Sequence, residues 1–188
     1  MSLLIIGVVL WCSVHLIPSL ATGLKQGLVG TLGKKGYRGV FSLAILASLV
    51  LIVMGWRSSP EVYIYALPAW SRPAGLVLMM ISFALLGAAH YKTGIRRFIS
   101  HPMLAGVVAW SVSHLLTNGT MRAWVLFGGL GLWAALEIVL INRRDGAPEP
   151  VVSPGPGAEL GGLAISAVIF AIAFFLHPYF AGVPILLR

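Results

Sequence analysis

Histidine and tryptophan recur together at one spacing in two stretches that lie ninety-nine positions apart, "GVVLWCSVHLI" at residues 7–17 and "GVVAWSVSHLL" at residues 106–116. Six of the eleven positions are identical, including Gly7, Trp11 and His15 against Gly106, Trp110 and His114. In each set the three residues stand at i, i+4 and i+8. Four residues advance an α-helix by about 400°, so each set forms a slowly drifting stripe on one helix face. The chemistry such a stripe offers is ligand binding: an imidazole supplies a lone pair to a metal, an indole stacks on a flat ligand, and a glycine lets that ligand approach the backbone. The same residues also have ordinary uses, as packing glycines, interfacial tryptophans and histidines bonded to a neighbouring helix.

The elements that must position these stripes follow from composition. The chain has 188 residues, 59% hydrophobic and 10% charged, with a mean hydropathy of +0.95, which places it in a membrane rather than among soluble domains. Apolar runs near the length that spans hydrocarbon fall at roughly residues 3–20, 39–56, 73–91, 102–117, 123–141 and 161–177. The reading is an all-α polytopic bundle of about six spans, forming a single domain over residues 1–188. Pro102 suits the first position of the fourth span, where its missing N–H is no loss. "TNGT" at 117–120 turns the chain tightly into the fifth. The Pro- and Gly-rich stretch 142–159 reads as a mobile polar loop before the last span.

Charge supports this count. The formal net charge is +8, but the cations lie between apolar runs, where they set topology and meet anionic headgroups rather than nucleic acid. Lys25, Lys34, Lys35, Arg38, Lys92, Arg96, Arg97, Arg143 and Arg144 fall in alternate links, against Arg57, Arg72, Arg122 and Arg188 on the other side. Nine against four puts both termini on the outer side, with anionic lipid expected at the inner face. "MSLL" has no basic stretch before the first apolar run, which therefore reads as a span rather than a cleaved signal peptide.

If spans one and four open two three-helix halves, an odd number of crossings makes the halves inverted, with His15 toward the inner side and His114 toward the outer. Two imidazoles and a metal bridge helix backbones over roughly 12 Å, so opposite offsets about the midplane are compatible with one shared metal. His101 reads as a cap on the fourth span or a headgroup ligand, while His90 and His177 at span ends receive no chemistry. Cys12 is the lone cysteine, which leaves no intrachain disulfide and no Cys-based metal cage. Of the five acids only Glu137 lies within a span, so there is no carboxylate pair for acid–base work. "FGGLGLW" at 127–133 sits in an apolar run and reads as helix packing rather than a phosphate loop.

"LGKKGYRGVFSLAILAS" (32–48), "ISHPMLAGVVAWSVSHLLTNG" (99–119) and "VHLIPS" (14–19) together resemble the NnrU family of membrane proteins, over most of the chain. That family is associated with denitrification, and its relative in plants and cyanobacteria is zeta-carotene isomerase, a haem b enzyme. The resemblance implies a haem b scaffold in a bacterial inner membrane, both termini periplasmic, with axial ligands at His15 and His114. The stripes then bring Trp11, Trp110, Gly7 and Gly106 to the ring, and the other N–H of each imidazole is expected to find a carbonyl or a hydroxyl, with Ser13, Ser111 and Ser113 as candidate hydroxyl partners. Ser111 stands where the isomerase carries a cysteine, Ser100 where an arginine is usual and Lys34 where a glutamate is usual.

Three functions are compatible with these residues. One is haem-dependent redox or isomerisation chemistry on a small or lipophilic molecule. The second is a non-catalytic accessory role beside a respiratory-chain partner in nitric oxide or nitrite reduction. The third, an isoprenylcysteine-type methyltransferase, rests on H-P-x-L-x-G at His101 to Gly106, but the chain passes from there through "TNGT" into another apolar span without a polar cofactor site.

Overall fold

The computed structural model describes residues 1–146 and 155–181. Six helices carry the chain: α1 (Ser2–Leu20), α2 (Thr22–Ser58), α3 (Ser71–Ala88), α4 (Pro102–Thr117), α5 (Met121–Asp145) and α6 (Pro156–Ala181). Five of them are long and apolar enough to cross a bilayer, and α4, at 16 residues, is a shorter apolar helix. The protein is an all-α integral membrane bundle. Its apolar side chains face outward as well as inward, with Leu43, Leu132, Ile165 and Phe175 all exposed, which water would penalise and lipid does not.

Two tight antiparallel seams organise the bundle. In the α1–α2 seam, a Cβ added at Gly7 would meet the backbone nitrogen of Ile52 at 2.7 Å, and one at Gly55 would collide with the backbone of Leu4. Leu4, Val8 and Ile52 form the buried cluster between these helices. In the α3–α4 seam, Gly106 lies against Ser82 and Leu86, and Gly75 against Thr117 and Ser113. The Ser82 hydroxyl donates to the Gly106 carbonyl at 2.8 Å and the Ser113 hydroxyl to the Gly75 carbonyl at 2.7 Å, so the seam is pinned at both ends. Small residues let the backbones close, and the hydroxyls then reach across. Helix α5 packs on both α1 and α4, while α6 packs chiefly on α3. The two tight seams, α1–α2 and α3–α4, each join consecutive helices, and the α3–α4 seam has no equal between α6 and α1 among the described residues.

The link at 21–38 is largely helical. Residues 22–32 continue as helix, and Gly33, at φ 70°, breaks the run before the second span. Only glycine takes that conformation cheaply. The polar stretch 142–159 is narrower than expected, because α5 runs to Asp145 and α6 starts at Pro156. Residues 147–154 of that stretch, with Glu149, lie outside the described residues, as does Arg188.

Side chains join the cationic links at one end of the bundle. His101 Nε2 meets Asn142 Oδ1 at 2.8 Å, Arg144 donates to the Pro18 carbonyl at 3.0 Å, and Thr93 donates to Glu159 at 2.6 Å. The His101 side chain therefore bonds to α5 and does not cap α4.

Candidate functional site: two histidine half-sites on one helix

His15 sits on α1 with its Nδ1–H donating to the carbonyl of Trp11 at 2.9 Å. Because a carbonyl only accepts, the proton is on Nδ1 and the lone pair on Nε2. The ring is bracketed by aromatics, with centroid distances of 4.3 Å to Trp11, 5.0 Å to Trp133 of α5 and 5.5 Å to Phe41 of α2. One side opens on a cavity of about 250 Å³ between α1 and α2, lined by His15, Phe41, Ser42, Ile45, Leu46 and Leu49. His114 does not line it. The indole nitrogens of Trp11 and Trp133 are buried without an acceptor.

His114 repeats the local geometry on α4. Its Nδ1–H donates to the carbonyl of Trp110, again at 2.9 Å, and again Nε2 is left free. Phe127 of α5 stacks on the ring at 4.1 Å and 17°, and Trp110 lies at 4.8 Å.

Helix α5 explains how both half-sites are held. Between Phe127 and Trp133 it carries Gly129, whose Cβ position is 2.6 Å from Val8 of α1, and Gly131, whose Cβ position is 2.8 Å from Ser111 of α4. The glycines thus admit one helix on each side, and the flanking aromatics each take one histidine. Six residues at 1.5 Å rise separate Phe127 from Trp133 by about 9 Å along the axis. The expected packing role of "FGGLGLW" is what the structure shows. Trp124–Gly128 is also π-helical, which shifts the register at which Phe127 meets His114.

The end of the His114 half that carries the "TNGT" turn is covered. The 59–70 link docks on the "TNGT" turn through Ile64 N–H to Gly119 O at 2.9 Å, Met121 N–H to Val62 O at 2.8 Å, and a bridge between Tyr63 and Thr120. The Tyr65 hydroxyl donates to the carbonyls of Leu115 and Asn118. Burial pushes the Tyr65 phenol above its ordinary value, which keeps it a donor. Arg122 ties this cover down through Glu61, the carbonyls of Ser59 and Trp56, and the Trp56 ring at 4.5 Å.

The structure brings His15 to Trp11 and His114 to Trp110, and joins both pairs to α5. Gly7 and Gly106 turn instead to neighbouring helices, and the space beside them is filled by Ile52 and by Ser82 and Leu86. Of the two kinds of partner expected for the imidazole N–H groups, both histidines take the carbonyl and not a serine hydroxyl: Ser113 bonds Gly75, and Ser111 is buried against Gly131 without a hydrogen-bond partner. Phe127, Trp133 and Phe41 enter the site although sequence reasoning passed over them. The only signal for the first two was that they bound the glycine-rich run.

Among the described residues, no three His, Cys, Asp or Glu side chains gather as metal ligands. A metal at either histidine therefore needs further ligands from a group such as a macrocycle. Two neutral imidazoles, each with Nδ1 committed and Nε2 free, are the donor set that haem iron takes. In that respect the residues fit.

No curated protein and no solved structure matches the chain. A family model described as "NnrU protein" matches residues 3–185, nearly the whole chain. The protein belongs to the NnrU family.

Proposed function

We propose that this protein binds haem b in the membrane, with His15 and His114 as the axial ligands, and that it serves redox or isomerisation chemistry on a small or lipophilic molecule in nitrogen-oxide metabolism. The observation that carries this reading is the matched pair of imidazoles, each oriented by the carbonyl of a tryptophan four residues earlier. Ordinary helix packing does not need that match, whereas metal ligation depends on it, because the second-nitrogen bond sets tautomer and ring direction.

Haem iron, when bound, supplies one-electron chemistry or polarises a ligand. The residues of this chain hold and exclude. Trp11 and Trp133 wall the His15 side and offer two indole N–H donors to an oxygen of the bound group. Phe127 and Trp110 hold the His114 ring, and the docked 59–70 link keeps water from it. A lipophilic molecule has a lateral approach to His15 along Phe41, Ile45 and Leu49. With both histidines holding the iron no position would stay open, so chemistry there would require one to yield, and His15, beside the open depression between α1 and α2, would be the one that does.

The test is the optical spectrum of purified protein supplemented with haem. Sharp, low-spin bis-histidine bands at one haem per chain are expected. Their absence, with a folded protein, refutes the reading and favours a non-catalytic accessory role beside a respiratory partner. That second reading has its own observation: α6 packs chiefly on α3, leaving most of its apolar surface for lipid or a partner helix.

The setting proposed is a bacterial inner membrane with periplasmic termini, the cation-rich end meeting anionic headgroups at about 1 kcal/mol per charge. Reporter fusions in the 21–38 link should read cytoplasmic. Thermal stability should rise in anionic over zwitterionic bilayers, and no difference would remove the lipid assignment.

A further inference from the structure

Glu137 lies inside the α5 span and is 4% exposed. The Ser19 hydroxyl at the end of α1 donates to its Oε2 at 2.6 Å. Glu137 is one helical turn past Trp133, whose ring packs on His15. On the other side, Arg144 donates to the carbonyl of Pro18, the residue before Ser19, and feels the Glu137 carboxylate as well. The carboxyl therefore stands between His15 and the cation-rich surface.

A staple between α1 and α5 does not need a group that ionises, since glutamine accepts the same hydrogen bond. An acid in hydrocarbon is expensive, and where one persists, it marks a route for protons or ions. The charged and titratable groups within its reach are His15 on α1 and, on α5, Arg144, which is paired with Asp145. The cations at the start of the second span, Lys34, Lys35 and Arg38, are exposed.

We propose that Glu137 is a proton-exchange site that loads from the cation-rich face through Ser19 and holds its proton on the His15 side of the bundle. In loading, the Ser19 hydroxyl passes its proton to Oε2 as its oxygen takes one from a surface hydronium ion, which leaves as water, so the carboxylate becomes a carboxyl and the hydroxyl is restored. No electron moves, and unloading is the reverse. Only the use of that proton rests on the haem reading; the exchange does not.

Infrared difference spectra of the full chain in bilayers, recorded across pH in H₂O and D₂O, test this without haem. The wild type should show a carboxyl C=O band that grows on acidification and shifts in D₂O. Glu137→Gln should lose that band while keeping wild-type thermal stability. Ser19→Ala should keep the band but exchange it several-fold more slowly. A pH-invariant difference between wild type and Glu137→Gln would overturn the proposal, as would unchanged exchange in Ser19→Ala. Because the band is read without haem, failure of the optical haem test would leave this result standing.

Discussion

The two histidine half-sites share their inner geometry and differ in their surroundings. Each imidazole is fixed at 2.9 Å to the carbonyl of the tryptophan four residues before it. His15 borders a cavity open between α1 and α2 and lies near an intramembrane acid. His114 is stacked flat on Phe127 and covered by a link that hydrogen-bonds to the end of its own helix. A repeated local motif thus provides two half-buried imidazoles of one kind with different neighbours, one beside an open depression between α1 and α2 and the other under a stacked phenyl ring. Under the haem binding proposed above, that difference would separate the ligand that holds from the ligand that yields.

The largest expected effect breaks the symmetry directly. His114→Ala should empty the site of haem, because the enclosed ligand is the anchor. His15→Ala should retain haem in a five-coordinate, high-spin form. Haem-to-protein ratios and electron paramagnetic resonance of both variants check this; identical behaviour of the two would show that enclosure does not rank the ligands, and parental spectra in both would make the pair structural.

A smaller effect tests what the halves have in common. Gly7→Val and Gly106→Val each force a side chain into a helix seam and should each cost about 1–3 kcal/mol by overpacking. Thermal unfolding in detergent should show comparable losses in both, with haem content per folded chain unchanged. A loss of haem without a loss of stability would return these glycines to the ligand.

The smallest effect falls on one half alone. Tyr65→Phe removes the hydroxyl that ties the 59–70 link to Leu115 and Asn118, and should cost about 1 kcal/mol. Hydrogen–deuterium exchange should quicken across 59–70 and the end of α4 while the α1–α2 seam stays as it was. Uniform quickening in both regions would mean that the cover is not specific to His114.

Much of this protein was legible in order of residues alone, for reasons that are local. Runs of apolar residues near twenty long must be helical in lipid, because every backbone group needs an internal partner there, and α4 begins and ends where Pro102 and "TNGT" placed its limits. Recurrence of Gly, Trp and His at four-residue steps placed both imidazoles one turn from their tryptophans, since helix geometry fixes i and i+4 neighbours. The direction in which each glycine faces was not legible, because a stripe drifting by about 40° every four residues carries Gly7 and His15 to different neighbours. Tertiary structure alone decided that α5 would stand against both α1 and α4, that Phe127 would take His114 and Trp133 would take His15, and that the 59–70 link would close over one half only. These are contacts between residues tens of positions apart, selected by which helix surfaces fit together, and no spacing within a single helix encodes them.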